Sequence, residues 1–270
     1  MSTGPDVVSG ELKSIRKAFE VIELLKERNG AGVTEIANEL GWAKSTAYNY
    51  LRTLTNNEYV VQEGDQYHLG LRFLDLGKHV SHRKDLYELA DKKVKELANE
   101  TGERAQFVVL EHRKAVYVRQ AIGDSGVHTD AEVGSRLDLH ATAAGKAILS
   151  KIPDDEREEI LDRIEMRSYT ENTIKHRKEL QQEIEEIQST NIARNGGEIV
   201  DGMNAVAVPV TDANEQVYGS LCVSGPAHRM TDERIEDHLA EYILGSANEL
   251  ELNLEYSRES VRTGTGHFRS

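Results

Sequence analysis

Cysteine is almost missing from this sequence, which has one, Cys222, among 270 residues. One thiol can neither close an internal disulfide nor build a thiolate metal cage, so a disulfide-stapled scaffold is excluded. No apolar run approaches the roughly 20 residues that a membrane-spanning helix needs, and residues 1–6 show no basic segment leading into an apolar one. We therefore expect a cytoplasmic protein with no membrane partner, long enough for one large domain or two ordinary ones.

Lysine is also scarce in this sequence. The chain has 14 Lys, and its 33 Lys+Arg face 47 Asp+Glu, which gives a formal charge of −14. Many carboxylates with few lysines are expected where a protein surface must stay hydrated in concentrated salt, since net charge bears on solubility rather than fold. The composition therefore predicts a halophilic host, an archaeon, with an ordinary acidic bacterial protein as the alternative. Taken at face value, the same charge argues against a nucleic-acid partner.

The first 70 residues carry three helical patterns followed by a hairpin pattern. An apolar stripe at three- and four-residue spacing predicts a first helix with the inward face Ile15, Ala18, Phe19, Ile22 and Leu25. Thr34 is the expected N-cap of a short second helix, and a third helix follows over about 43–56. Alternating stretches at 59–62 and 66–69 flank a glycine turn and predict a two-stranded ribbon. This order is typical of a winged helix-turn-helix DNA-binding domain.

The outward face of the third helix suits DNA. No acidic residue occurs from Gly41 to Asn57, as a surface beside phosphates requires. Asn can read adenine, Arg can read guanine, and hydroxyl side chains suit phosphate contacts. The residues expected to contact DNA are Lys44, Ser45, Thr46, Tyr48, Asn49 and Arg52, with Gln66 and His68 from the wing. The alternative is a small helical packing module with a neutral surface.

The rest of the chain predicts a helical linker over 71–84, a second domain over 85–256 and a disordered tail over 257–270. Two strand pairs in the second domain, 106–110 with 115–121 and 205–211 with 216–224, are predicted hairpins. Pro209 lacks an N–H and should lie at a sheet edge or a bulge. Other helices are expected over about 85–100, 141–150, 154–164, 175–189 and 231–255. Hairpins with helices on their faces give an α+β domain with an antiparallel sheet.

The negative charge is unevenly distributed between these domains. Residues 1–80 hold 9 Lys+Arg and 11 Asp+Glu, whereas the remaining 190 residues hold 24 and 36. The acid excess therefore belongs to the second domain, and the third helix is spared. The overall charge no longer argues against DNA as the partner.

Several short segments, in this order and spacing, resemble the isocitrate-lyase-regulator (IclR) family of transcription factors over about residues 12–255. They are 44–47 (KSTA), 67–70 (YHLG), 133–147 (VGSRLDLHATAAGKA), 206–210 (VAVPV) and 223–226 (VSGP). The resemblance implies a winged-helix DNA-binding domain, a linker helix and a GAF-like domain that binds a small-molecule effector. It also implies dimers, or dimers of dimers, on palindromic operators upstream of catabolic genes, acting as repressors or activators.

The resemblance also implies site residues, with departures. Ser45 and Thr46 match the family, but Tyr48 and Asn49 stand where it usually has His and Arg, so base preference is expected to differ. Asn195, Ala205 and Cys222 replace an acid, a frequent Cys and a Ser, whereas Ser224 matches. The implied effector residues are Gly134, Leu137, Leu139, Ala141, Asn195, Ala205, Cys222 and Ser224. Because Asn195 replaces the family's acidic residue, the pocket is neutral and is expected to favour a different or more anionic ligand. Arg136 and His140 are the candidate groups to bind such an anion.

Other interpretations of the second domain are weaker. Cys222 with His140 or His228 suggests a nucleophile, but a lone Cys in a β-rich strand is more typical of packing. His79 and His82 have a helical metal spacing but are expected to be solvated. We therefore predict no enzyme activity, metal or cofactor. The competing functional class is a ligand sensor whose winged helix serves protein interaction or dimerisation rather than DNA binding.

Overall fold

The computed structural model describes residues 10–129 and 131–262. These form two compact units, of which the first ends at Ser81 and the second begins at His82. The helix expected in the linker belongs to the first unit. None of the helices in the described ranges is long and apolar enough to cross a membrane.

The first unit is a winged helix-turn-helix. Its helices are α1 (Lys13–Glu27), α2 (Val33–Glu39), α3 (Lys44–Asn56) and α4 (Arg72–Ser81), and its strands are β1 (Val60–Glu63) and β2 (Gln66–Leu69). The strands pair antiparallel around Gly64, whose φ of +62° is the left-handed conformation that glycine adopts most readily. The three helices and the ribbon enclose one core, which includes Leu25, Ile36 and Leu51.

Two details of this unit differ from the sequence-based expectation. The N-cap of α2 is Gly32 rather than Thr34, and the Glu35 carboxylate accepts the Gly32 N–H at 2.6 Å. Ile15 and Phe19, expected in the core, are 52% and 60% exposed. Helix α1 buries residues only in its second half, so the apolar stripe of its first half is left on the surface.

The second unit is an α+β domain, as predicted. Its strands are β3 (Arg104–Glu111), β4 (Lys114–Ile122), β5 (Arg136–Asp138), β6 (Ala193–Gly196), β7 (Met203–Thr211) and β8 (Val217–Pro226). They form one antiparallel sheet in the order β5-β4-β3-β8-β7-β6. Both expected hairpins, β3–β4 and β7–β8, are present. The short edge strands β5 and β6 were not predicted.

The position of Pro209 follows from this topology. Strand β6 pairs with β7 only from Asn204 to Ala207, so Pro209 lies past the end of β6, where β7 has one neighbour. The missing N–H therefore costs no ladder hydrogen bond on that side, as predicted for a proline at an edge.

Helices cover both faces of the sheet. They are α5 (Asp85–Thr101), α6 (Ala143–Lys151), α7 (Asp154–Arg163), α8 (Arg177–Thr190), α9 (Asp232–Arg234) and α10 (Ala240–Arg262). A 3-10 turn, Leu139–Ala141, precedes α6, and a π-helical turn, Ile235–Leu239, joins α9 to α10. Helix α10 continues past the predicted start of a tail at 257, and residues 263–270 lie outside the described part of the chain.

Two apolar layers result from this arrangement. Helices α5 and α10 pack on one face of the sheet around Phe107 and Leu221. The 3-10 turn, α6 and α8 pack on the other face around Ile148 and Cys222. The small residues of α6 permit close approach, because a Cβ on Gly145 would lie 2.3 Å from the Leu139 carbonyl oxygen. The face beneath the 3-10 turn and α6 also holds Asn195, Ala205, Cys222 and Ser224, four of the expected effector residues.

Candidate functional site

Helix α3 presents two chemically distinct faces. Ala47, Leu51 and Leu54 are buried in the core of the first unit, while Ser45 and Asn49 are exposed on the opposite side. The helix reaches its surface position because Gly41, with a φ of +66°, lets the chain turn sharply between α2 and α3. The exposed face is polar and carries no carboxylate.

Two side chains on that face contact each other. The Arg52 guanidinium lies 5.9 Å from the centre of the Tyr48 ring, one helical turn away. Such a cation–π contact restricts the guanidinium to fewer rotamers without using its hydrogen-bond donors. Lys44 and Arg52 are both exposed, so the two cations of α3 can reach a ligand outside the domain.

The two wing residues expected to contact DNA, Gln66 and His68, differ in their exposure. Gln66 is exposed at the start of β2, but His68 is half-buried. Its ring covers Gly30, where an added Cβ would lie 2.3 Å from the His68 Cε1 atom. His68 therefore packs within the first unit, and its role at DNA stays a prediction.

Four of the residues implied by the resemblance come together on the second unit's sheet. Asn195 pairs with Ala205 across β6 and β7, and Ala205 pairs with Ser224 across β7 and β8. Cys222 lies two residues before Ser224 and faces the same side. This row lies beneath Leu139 and Ala141 of the 3-10 turn, both of which are buried.

The polar members of that row have defined partners. Asn195 donates to the Ala141 carbonyl at 2.5 Å and accepts the Glu198 N–H at 3.1 Å, so it ties the 3-10 turn to β6. Burial raises the pKa of the Cys222 thiol to about 12. The thiol is therefore protonated near neutral pH and is unsuited to nucleophilic attack.

The loop residues Gly134 and Leu137 lie apart from that row. Gly134 is exposed, and Leu137 pairs with Ala115, which pairs with Leu110. Leu110 lies six positions along β3 from Arg104, the strand partner of Ser224, a distance of roughly 20 Å along an extended strand. Leu137 is therefore far along the sheet from Ser224, whereas Gly134 lies in the loop that bonds β4 through its N–H and the Tyr117 carbonyl, at 2.8 Å.

Two polar residues of β3 were missed by the sequence analysis. Arg104 pairs with Ser224 and Gln106 pairs with Cys222, so both side chains lie on the site face. Gln106 and Ser224 are in contact at 2.9 Å. The sequence does show Arg104 and Gln106 alternating with the apolar Ala105 and Phe107. In a sheet expected to carry helices on its faces, this alternation could have indicated that the two polar side chains share one covered face.

The candidate anion-holding groups lie elsewhere. Arg136 is exposed and bonds the Glu111 carboxylate at 3.3 Å. His140 is fully buried, with its Nε2 atom 2.9 Å from the Arg167 carbonyl oxygen. His79 and His82 are exposed, and across the described ranges no three His, Cys, Asp or Glu residues are grouped to hold a metal ion.

Both units match known family models. Residues 14–64 match the IclR helix-turn-helix domain, and residues 78–252 match the C-terminal domain of bacterial IclR transcriptional regulators. The second match covers well over half of the chain.

Curated relatives and solved structures agree with these matches. The chain is 30% identical to the transcriptional regulator KdgR of Escherichia coli, over 87% of this chain and 89% of KdgR. It is 27% identical to the probable regulator ArcR of Halobacterium salinarum, over 90% of this chain and 94% of ArcR. The IclR structure from Thermotoga maritima superposes with a TM-score of 0.75 at 27% identity, covering 90% of this chain and 99% of that one.

Proposed function

The chain belongs to the IclR family of DNA-binding transcriptional regulators, and on that premise we propose how it recognises DNA. Helix α3 enters the major groove and presents Ser45, Tyr48, Asn49 and Arg52 to the operator. The observation that carries this proposal is the exposed, acid-free face of α3, on which Tyr48 holds Arg52 at 5.9 Å.

The contacts divide into two kinds. Asn49 and Arg52 are proposed to read base edges, because an amide matches adenine and a guanidinium matches guanine. Lys44, Ser45 and Thr46 at the start of α3, with Gln66 on the wing, are proposed to bind phosphates and position the domain. Phosphate contacts carry no sequence information, so their loss should weaken all DNA binding alike.

Fluorescence anisotropy with the DNA upstream of the protein's own gene tests this division. Arg52→Ala and Asn49→Ala should each weaken binding by about 1–3 kcal/mol and relax base preference at one position of a half-site. Arg28→Ala is the matched control, since Arg28 is an exposed arginine of the same unit that follows α1 and pairs with Glu39 of α2 at 2.9 Å. Equal losses for Arg28→Ala and Arg52→Ala would contradict the proposal. A change in oligomeric state without loss of DNA binding would favour an interaction module instead.

Self-association is proposed from the apolar surface of the first unit. Phe19 on α1 and Leu74 on α4 are 60% and 71% exposed, and further apolar side chains on the surface are Leu12, Ile15, Leu71, Leu76 and Val80. Apolar groups of this size gain about 1.5–3 kcal/mol each when fully buried. A second copy of the chain would bury them and present two α3 helices to a palindromic operator.

Light scattering coupled to gel filtration tests self-association. The native chain should elute as a dimer or a dimer of dimers, and Phe19→Glu or Leu74→Glu should reduce its mass. Glu20→Gln is the control, because Glu20 neighbours Phe19 on α1 but is polar. An unchanged mass in both glutamate variants would show that these helices do not form the interface.

The second unit is proposed to bind a small-molecule effector and to regulate DNA binding without catalysis. Ala205, Cys222 and Ser224 on the sheet, beneath Leu139 and Ala141, form the proposed site. Cys222→Ala should leave operator binding and its response to effector in place, whereas an enzymatic role predicts loss of turnover. We place the protein in the cytoplasm, since its partner is DNA, and propose a halophilic host because carboxylates far outnumber lysines in its sequence.

A further inference from the structure

A cleft of about 500 Å³ opens at one end of the second unit's sheet. The start of α5, the end of α6, the end of β3 and the start of β8 form its walls. Leu110 lines the cleft and lies six positions along β3 from Arg104, the strand partner of Ser224, which is roughly 20 Å along an extended strand. The cleft is therefore separate from the proposed effector site. Its volume lies within the range of about 300–1,000 Å³ that small-molecule sites occupy.

Lys151 is a partly buried cation that lines this cleft. It ends α6, where the helix dipole favours a positive charge but supplies no ionic partner. The other lysines of the second unit that are at least partly buried, Lys93, Lys114 and Lys146, each contact a carboxylate. No carboxylate oxygen among the described residues lies within 4 Å of the Lys151 ammonium. An anionic ligand would offset the desolvation cost that this unpaired charge carries.

Two further groups in the cleft can bind an anion. Lys84 directly precedes α5, and its Nζ atom lies 5.6 Å from the centre of the Tyr87 ring. In the described ranges, Lys84 also has no carboxylate oxygen within 4 Å. Tyr87 is 5% exposed, and its hydroxyl forms no hydrogen bond with any residue that the structure describes. Since a buried phenol ordinarily has a hydrogen-bond partner, this hydroxyl is a donor available to a ligand.

Exposed carboxylates also line the cleft. The Glu111 carboxylate is already paired, with Arg83 at 3.9 Å and with Arg136 at 3.3 Å. Glu156 and Glu215 have no ion pair in the part of the chain that the structure describes. Carboxylate oxygens accept hydrogen bonds from hydroxyl groups. The cleft therefore combines unpaired ammonium groups for an anion with unpaired acceptors for hydroxyls.

We infer that this cleft binds a small polyol phosphate, such as a sugar phosphate. A phosphate monoester carries close to two negative charges near pH 7, which matches the ammonium groups of Lys84 and Lys151, whereas a carboxylate carries one. The Tyr87 hydroxyl donates to a phosphate oxygen, and the hydroxyls of the polyol donate to Glu156 and Glu215. Because Lys84 belongs to the segment 82–84 between α4 and α5, a bound phosphate also restricts the segment that joins the two units.

Matched ligand pairs test the inference on the full chain. Glucose 6-phosphate, ribose 5-phosphate and glycerol 3-phosphate are each compared with the unphosphorylated compound by calorimetry at constant ionic strength. At least one phosphate should bind roughly 10-fold or more tightly than its partner, because hydrogen bonds to charged groups have that effect. Lys84→Gln and Lys151→Gln should each reduce this preference, and the double variant should abolish it. Tyr87→Phe should weaken phosphate binding to a smaller extent, since it removes one donor without charge.

Lys92→Gln is the matched control and should keep the preference, since Lys92 is an exposed lysine of α5 that does not line the cleft. Equal binding of the phosphates and their partners, or a preference that survives in the double variant, overturns the inference. DNA is the other source of phosphate for this chain, so a loss of operator affinity in the double variant assigns the two lysines to DNA and also overturns it. A preference lost in Ser224→Ala places the phosphate in the effector site, with the same consequence. Operator binding by the native chain without ligand tests the proposed function independently of these results.

Discussion

A buried lysine in the second unit supports a strong prediction about stability. Lys146 on α6 is fully buried, and its Nζ atom bonds the Glu183 carboxylate at 2.6 Å and the Glu198 carboxylate at 2.8 Å. Glu198 is also buried, and its second oxygen, Oε2, has no hydrogen-bond partner among the described residues. Replacing Lys146 by Met keeps the length of the side chain but leaves Glu198 as an uncompensated buried charge.

The expected loss follows from that geometry. Removing one partner of a buried ion pair costs about 3–5 kcal/mol, because the remaining charge keeps its desolvation cost and loses its attraction. For a unit of this size, that loss lowers the unfolding midpoint by roughly 6–20 °C. Glu198→Gln should cost less than Lys146→Met, since Lys146 retains Glu183. The double variant should be more stable than Lys146→Met alone, because the unpaired carboxylate is gone.

The assay can separate the two units within the intact chain. Far-UV circular dichroism follows the whole chain, while fluorescence of Trp42, the one tryptophan, reports on the first unit. Lys146→Met should lower the midpoint of the main dichroism transition and leave the Trp42 midpoint in place. A loss below about 1 kcal/mol, or a double variant as unstable as the summed single losses, would refute the reasoning.

The pH dependence of the stability lost in Lys146→Met gives an independent check on the role of Glu198. Burial raises the pKa of Glu198, an effect larger than the opposing attraction of Lys146. A carboxyl whose folded-state pKa is raised stabilises the fold when protonated, and this contribution is lost as pH rises through the folded-state pKa. Without Lys146 the pKa rises further. The difference between Lys146→Met and the native chain should therefore shrink from about pH 7 to about pH 5.

Three further predictions concern other parts of the chain. Gly145→Val should destabilise the second unit by at least about 1–3 kcal/mol in urea unfolding, because its Cβ would lie 2.3 Å from the Leu139 carbonyl oxygen; native stability would contradict this. Operator affinity should fall only shallowly with salt, with a slope near −1 per subunit because Lys44 is the cation proposed to bind a phosphate, and a slope near −6 or steeper would exclude this. Burial raises the pKa of Glu103, but its bonds to arginine lower it overall, so its stabilisation is lost as pH falls below about 4.5. Glu103→Gln should flatten acid unfolding measured by circular dichroism, and an unchanged acid midpoint would count against it.

Local patterns were sufficient for most elements of the fold. The winged helix, both hairpins of the second unit and helices α5 to α8 follow from apolar periodicity, turn residues and proline. Strands β5 and β6 escaped prediction because they have only three and four residues and gain their pairing from β4 and β7. The exposure of Ile15 and Phe19 escaped it because periodicity identifies an apolar face without telling what covers that face.

The expected site residues were recovered unevenly for a similar reason. Ala205, Cys222 and Ser224 fall together because strand register places them on one face, a consequence of the hairpin already visible in the sequence. Arg104 and Gln106 were missed because alternation shows that two polar residues share a sheet face, but not that helices bury this face. Asn195 was assigned by resemblance, and its amide is used by Ala141 and Glu198.

What the amino-acid sequence determined by itself is local in its causes: element types, the winged-helix order, the acid-free face of α3 and the location of the negative charge in the second unit. These depend on residues near one another in the chain, whose spacing and chemistry are read directly. Tertiary structure alone decided which charged side chains are buried and which residues they bond. Lys146 meets Glu198 and Arg104 meets four neutral oxygens because distant segments pack together, and burial multiplies the energy of such pairings.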